Sequence, residues 1–272
     1  MNPALTALVL ARQTTVRLLR ARMPWLLLLG AIAGAVLVAL IGRHIARHNR
    51  GDVALGVITW LTYMQFVLPF CALWFGVQAV QGDIEDRTSV YLFSRPLSRP
   101  AMLLGKWFAA ALVSALLILL GIGILYVALT WDRSRTWQLG VRPPAAMLPA
   151  FAHAGVLGAL AYAALGALFG AWFKRPLIMG LVFLVGWEGM MANLPAHASA
   201  RALTVVDAVR RLLWQAHAPR DDYAEVLLGP MMVHPDPNAL DPSLALLRFA
   251  VLAGALAAWV YARREYDARV AE

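Results

Sequence analysis

Charge is scarce in this sequence. Asp, Glu, Lys and Arg make up 14% of its 272 residues, against roughly 25% in an ordinary soluble domain. Lysine is almost missing: of 24 basic residues only Lys106 and Lys174 are not arginine. So few solvated side chains cannot coat a water-soluble globule of this size. Cysteine is confined to Cys71, which excludes an intramolecular disulfide and a cysteine-based metal cluster. A phosphate-binding loop is missing as well. Gly105-Lys106 is followed by Trp107, and Pro100 stands where G-x-x-x-x-G-K-[ST] needs its first glycine. The chain is therefore read as holding neither nucleotide nor metal.

What remains is apolar. Hydrophobic residues are 61% of the chain, and the stretches 53–82 and 107–131 carry no charged residue. At roughly 20 residues per crossing, the length accommodates about six membrane helices with modest loops and leaves no room for a soluble catalytic domain. The predicted fold is an all-α integral membrane protein forming one transmembrane domain over 1–272. Its spans fall at about 24–41, 60–81, 103–130, 146–173, 177–194 and 244–261. Pro69 predicts a kink in the second span. Arg12, Arg17, Arg20 and Arg22 precede an uncharged run from Met23 to Gly42, long enough to be a retained span and not a cleaved signal peptide. Residues 1–22 read as an interfacial helix with Leu5, Leu8, Val9, Val16 and Leu19 on one face, lying on membrane lipid.

The net charge of +9 does not point to nucleic acid, because the basic residues fall between apolar runs, where they set topology. With the N-terminus inside, Arg12, Arg17, Arg20, Arg22, Arg87, Arg95, Arg99, Lys106, Lys174, Arg175, Arg263, Arg264 and Arg269 are cytoplasmic. Those thirteen face ten outside, in longer loops. Both termini are therefore predicted in the cytoplasm. The 195–243 segment is then external. Its first half is amphipathic, with Val205, Val206, Val209, Leu212 and Leu213 opposite Arg201, Thr204, Asp207 and Arg211. This pattern suits a helix lying on the outer leaflet or capping the bundle.

Polar groups inside the spans are few. Gln65, Gln78, Glu188 and Asn193 are the candidates for a translocation path, and Glu188 is the one acid well inside an apolar run. A buried carboxylate is by default a functional hypothesis; a hydrogen bond to a neighbouring helix is the plainer alternative. Two other readings stay open: an intramembrane enzyme pairing Glu188 with a histidine such as His153, and a scaffold or sensor subunit. His44 and His48 share a helix face, but neighbouring arginines oppose a cation there. Met190-Met191 and Met231-Met232 with His234 are more simply apolar filler.

The densest polar stretch is 82–106, which carries Asp83, Glu85, Asp86 and Arg87, then Arg95 and Arg99. Mixed charge suits a reversible docking surface. Pro96 ends a short helix there, and Pro100 can open the next one. Glu85, Thr88, Leu92, Ser94-Arg95-Pro96, Ser98-Arg99 and Gly105-Lys106 together resemble the first cytoplasmic loop of ABC-2-type ABC transporter permeases. The layout of the whole chain is similar as well.

The resemblance implies a working unit of two permeases, the second a copy or a paralogue, with two cytoplasmic ABC ATPase subunits that carry the ATP and Mg. Asp83, Glu85, Asp86, Arg87, Thr88, Tyr91, Leu92, Ser94, Arg95, Pro96 and Arg99 would form the ATPase-coupling surface. Arg12, Arg17 and Arg20 would brace it from the N-terminal helix. The 195–243 segment would act as a gate. Export across a bacterial inner membrane is the direction implied.

Overall fold

The computed structural model describes residues 3–22, 24–26, 29–30, 32–34, 36, 59–85, 99–130, 147–191, 201, 203–217 and 240–263. Among these no strand occurs. The first helix, α1, is Pro3–Arg20. Helix α2 begins as a π-helical stretch, Trp60–Val67, and continues as an α-helix over Leu68–Glu85. Then come α3 at Arg99–Thr130 and α4 at Met147–Trp172. Helix α5 starts at Pro176–Val182 and finishes as a second π-helical stretch, Phe183–Met191. Helix α6 is Val205–His217, and α7 is Pro242–Arg263.

Among the described residues, four segments are long and apolar enough to cross a membrane: Thr62–Gly82, Arg99–Val127, Leu148–Trp172 and Pro242–Arg263. Helix α5 is a shorter apolar helix over Pro176–Met191. Of the expected first span, only scattered residues between 24 and 36 are described, and they are helical.

Local chemistry sets the helix limits. Pro176 occupies the first turn of α5. Pro242 opens α7 just after Asp241, whose carboxylate accepts the Ser243 N–H at 2.8 Å, an N-cap followed by proline at the first helical position. Pro69 has no N–H to give the Gln65 carbonyl, and upstream of it the ladder widens: the Leu68 N–H bonds to Tyr63 O, five residues back. The expected kink thus takes the form of a π-helical stretch.

Helix α4 is the axis of the bundle. Ala161, Tyr162, Ala163, Ala164, Ala167 and Ala171 are all buried. It meets α2 backbone to backbone. A Cβ added at Gly76 would strike the Ala163 carbonyl oxygen, and one added at Gly166 would strike that of Leu73. Lacking a hydrophobic drive between helices in lipid, such close approach supplies the attraction through dispersion. Trp107 of α3 joins this centre by donating its indole N–H to Leu160 O at 3.1 Å.

The outside of the bundle is apolar. Phe108, Leu112, Leu116 and Leu120 recur every four residues along an exposed stripe of α3, and Leu244, Val251, Leu252 and Trp259 face outward on α7. Such a surface is stable against hydrocarbon, not water. This is the exterior of a multi-pass membrane protein.

Candidate functional site

Polar contacts concentrate at the two ends of the bundle. At one end lie α1, the end of α2, the start of α3 and the end of α7. Helix α1 seats its buried stripe, Leu10, Thr14 and Leu18, on the bundle, and leaves Leu8, Val9, Val16 and Leu19 exposed. The predicted apolar face therefore looks outward, and the helix is held by its other side. Gly105 makes the seat possible, because a Cβ there would collide with the Ala7 carbonyl oxygen. Arg17 reaches across to α2, donating from Nη2 to Gln78 O at 3.2 Å and lying against Gly82. Arg12 and Arg20 are exposed.

Arg99 opens α3 and donates from Nη1 to Ala262 O at 3.3 Å, in the last turn of α7. Lys106 is buried, with Nζ 5.5 Å from the centre of the Tyr261 ring. Gly170 meets Val77 and Val80 of α2, so the α4–α5 turn with Lys174 and Arg175 falls at this end too.

The polar stretch is thus described at its margins. Asp83 and Glu85 extend the helical backbone of α2, and Arg99 and Pro100 begin α3. Asp86, Arg87, Thr88, Tyr91, Leu92, Ser94, Arg95 and Pro96 lie outside the described residues.

At the other end, α6 is inserted into the bundle and does not lie flat on a leaflet. Val205, Val206, Ala208, Val209, Leu212 and Leu213 are buried, and so are Arg201, Thr204 and Asp207 on the side expected to be solvated, with Arg210 buried as well. A Cβ built at Gly158 would touch Val209. Tyr162, one turn further, is ten residues from the end of α4 at Trp172, roughly 15 Å at about 1.5 Å per residue. The start of α6 therefore sits near mid-depth.

Glu188 holds it there. The side chain is 2% exposed. Its Oε1 accepts the Val205 N–H at 3.0 Å, and its Oε2 accepts the Val206 N–H at 3.0 Å. The Tyr162 hydroxyl donates to Oε2 at 3.2 Å. Thr204 completes the cap: its Oγ1 accepts the Asp207 N–H at 3.3 Å, and its carbonyl accepts the Ala208 N–H at 3.4 Å. The Thr204 N–H donates to Arg201 O at 2.9 Å, so the four amides from Thr204 to Asp207, which an isolated helix leaves without partners, are all bonded. Further along, Asp207 pairs with Arg211 at 3.0 Å, and the Arg210 guanidinium stands 5.6 Å over the Trp60 ring of α2.

The remaining sequence candidates are apart from this cluster. Gln65 is half-buried in the first π-helical stretch, and Gln78 serves through its carbonyl. His153 is exposed on α4, nine residues from Tyr162 and so roughly 13 Å along the axis. Asn193, His44, His48 and His234 lie outside the described residues. Among the described residues no three His, Cys, Asp or Glu side chains gather. Sequence reasoning missed Tyr162 and the Thr204 cap. The second had a signal, since Thr204-x-x-Asp207 before an apolar run is a helix-start pattern.

Fold and site together define a helical, multi-pass membrane protein with a carboxylate cluster near mid-depth. Comparison with known families narrows the class. Residues 7–265 match the family described as ABC-2 family transporter protein, and the chain belongs to that family. It is also similar to the Probable ABC transporter permease protein NosY of Pseudomonas aeruginosa, at 30% identity over 119 residues. That match covers 44% of this chain and 34% of the relative, about a third of its length.

Proposed function

We propose that the chain is the membrane-spanning permease subunit of an ATP-driven exporter, working as one of two permeases, identical or paralogous, beside two cytoplasmic ABC ATPases that bind ATP and Mg. Family membership over 7–265 carries this reading. In it the chain has six spans, both termini lie in the cytoplasm of a bacterium, and the protein sits in the inner membrane.

The polar stretch from Asp83 to Arg99 docks on the ATPase. The contacts at its margins support that role. Arg17 ties α1 to α2 just before the stretch begins, and Arg99 ties its far end to α7. Displacement of the loop therefore pulls on four helices at once, α1, α2, α3 and α7. For ATP to drive that displacement, the loop must bind the two ATPase states differently. Cargo passes between two permeases along α2 and α5, whose Phe66, Phe70, Val182 and Val185 are exposed. The external 195–243 segment, with α6 inside it, closes the outer end.

The test is isolation of the chain in mild detergent together with its neighbours. An ABC ATPase is expected to accompany it, and Glu85→Lys is expected to lower ATPase stimulation while leaving membrane insertion intact. Purification without any ATPase, or full stimulation in Glu85→Lys, overturns the reading.

A further inference from the structure

Helix α6 enters the bundle from the outer end, and its deep end is a helix N-terminus placed where water is scarce. Such an end is stable only with its amides paired. The Val205 and Val206 amides find their partners on another helix, in the single carboxylate of Glu188. The other bonds at this end, Asp207 N–H to Thr204 Oγ1 and Ala208 N–H to Thr204 O, are internal to the α6 segment and would travel with it. The apolar contacts of Val205, Val209 and Leu212 are non-directional and permit sliding.

Glu188 is itself held from behind by Tyr162 of α4, the helix at the bundle's axis, so the carboxylate stays with the bundle when α6 leaves. It lies within the π-helical stretch Phe183–Met191, a geometry that recurs at functional points of helices. The other π-helical stretch, Trp60–Val67, carries Trp60 under Arg210 of the same α6. Among the described residues, both π-helical stretches thus touch α6.

We propose that Glu188 is the latch of the outer gate: its carboxylate, backed by Tyr162 and shared between the Val205 and Val206 amides, holds α6 in the bundle and sets how often the outer end opens. The proposal rests on reading the 195–243 segment as a gate. Glu188 is a positioning residue in this account and touches no cargo.

Amide hydrogen exchange on the full chain in lipid nanodiscs tests it, with or without an ATPase attached. In the wild-type protein, Val205 and Val206 exchange slowly although they are first-turn amides. In Glu188→Ala, peptides covering 203–213 are expected to exchange at least tenfold faster, while those from α3 and α7 are unchanged. Val205→Pro is the second variant. It removes one donor without altering Glu188, and proline suits the first helical position. It is expected to speed exchange at Val206–Val209 several-fold.

Wild-type exchange over 203–213 in either folded variant overturns the latch. So does acceleration spread evenly over α3, α4 and α7, which marks a merely structural role. Because the readout is the motion of α6, this outcome is separate from the permease reading, whose own test is ATPase co-purification.

Discussion

Arg99 and Ala262 are 163 residues apart in the chain, yet the Arg99 guanidinium donates to the Ala262 carbonyl oxygen at 3.3 Å. The bond places a cation against the last carbonyls of α7, where the helix dipole favours it. A residue assigned from sequence to a cytoplasmic docking surface thus also makes a contact within the bundle. Arg99→Ala is expected to lower stability by about 1 kcal/mol, read as a lower midpoint of thermal unfolding in detergent. Arg99→Glu, which sets a carboxylate beside those carbonyls, is expected to cost more.

The α2–α4 contact has a sharper prediction. Gly76→Ala or Gly166→Ala forces two backbones apart and is expected to destabilise by about 1–3 kcal/mol. Gly123 has nothing within 4 Å of an added Cβ. Gly123→Ala is expected to stabilise the chain by up to about 1 kcal/mol. Opposite signs for the two classes, measured in one denaturation assay, check the packing.

Removing the cap of α6 is a milder change than removing Glu188. Thr204→Ala deprives the Asp207 amide of its partner and is expected to cost about 1 kcal/mol. Thr204→Ser is expected to restore most of it, because the hydroxyl and not the methyl accepts the bond. The midpoint of thermal unfolding for the two variants compares them directly.

Topology can be read with one probe. Cys71 is buried, so the native chain should be silent to a membrane-impermeant maleimide. Asp222→Cys is expected to label from the external side alone; labelling only from the cytoplasmic side would reverse the assigned orientation.

The long helices were legible because uncharged runs set their ends. Helices α3, α4 and α7 differ from the expected spans by a few residues at most, since lipid and water sort residues by transfer cost alone. Pattern was a poorer guide where two helices compete for one face. Leu10, Thr14 and Leu18 bury on α1 although the stronger apolar stripe is elsewhere, because Gly105 admits the α1 backbone at Ala7 to close approach. Glu188 stood out as an acid in a greasy run. Its partners did not, because Tyr162 among alanines shows no sign of a hydrogen bond until α5 is folded beside it. The π-helical stretches were equally silent, apart from the warning given by Pro69.

Helix α2 touches both polar ends of the molecule. Arg17 grips it at Gln78, and Arg210 rests on it at Trp60. Between those points it is clamped to α4 at Gly76 by backbone contact, which leaves little play for bending there. It is a strut roughly 35–40 Å long at about 1.5 Å per residue. The terminal helix on one face and the inserted helix on the other are therefore mechanically in series through this one strut, and its π-helical stretch is the joint that lies between the Gly76 clamp and the inserted helix.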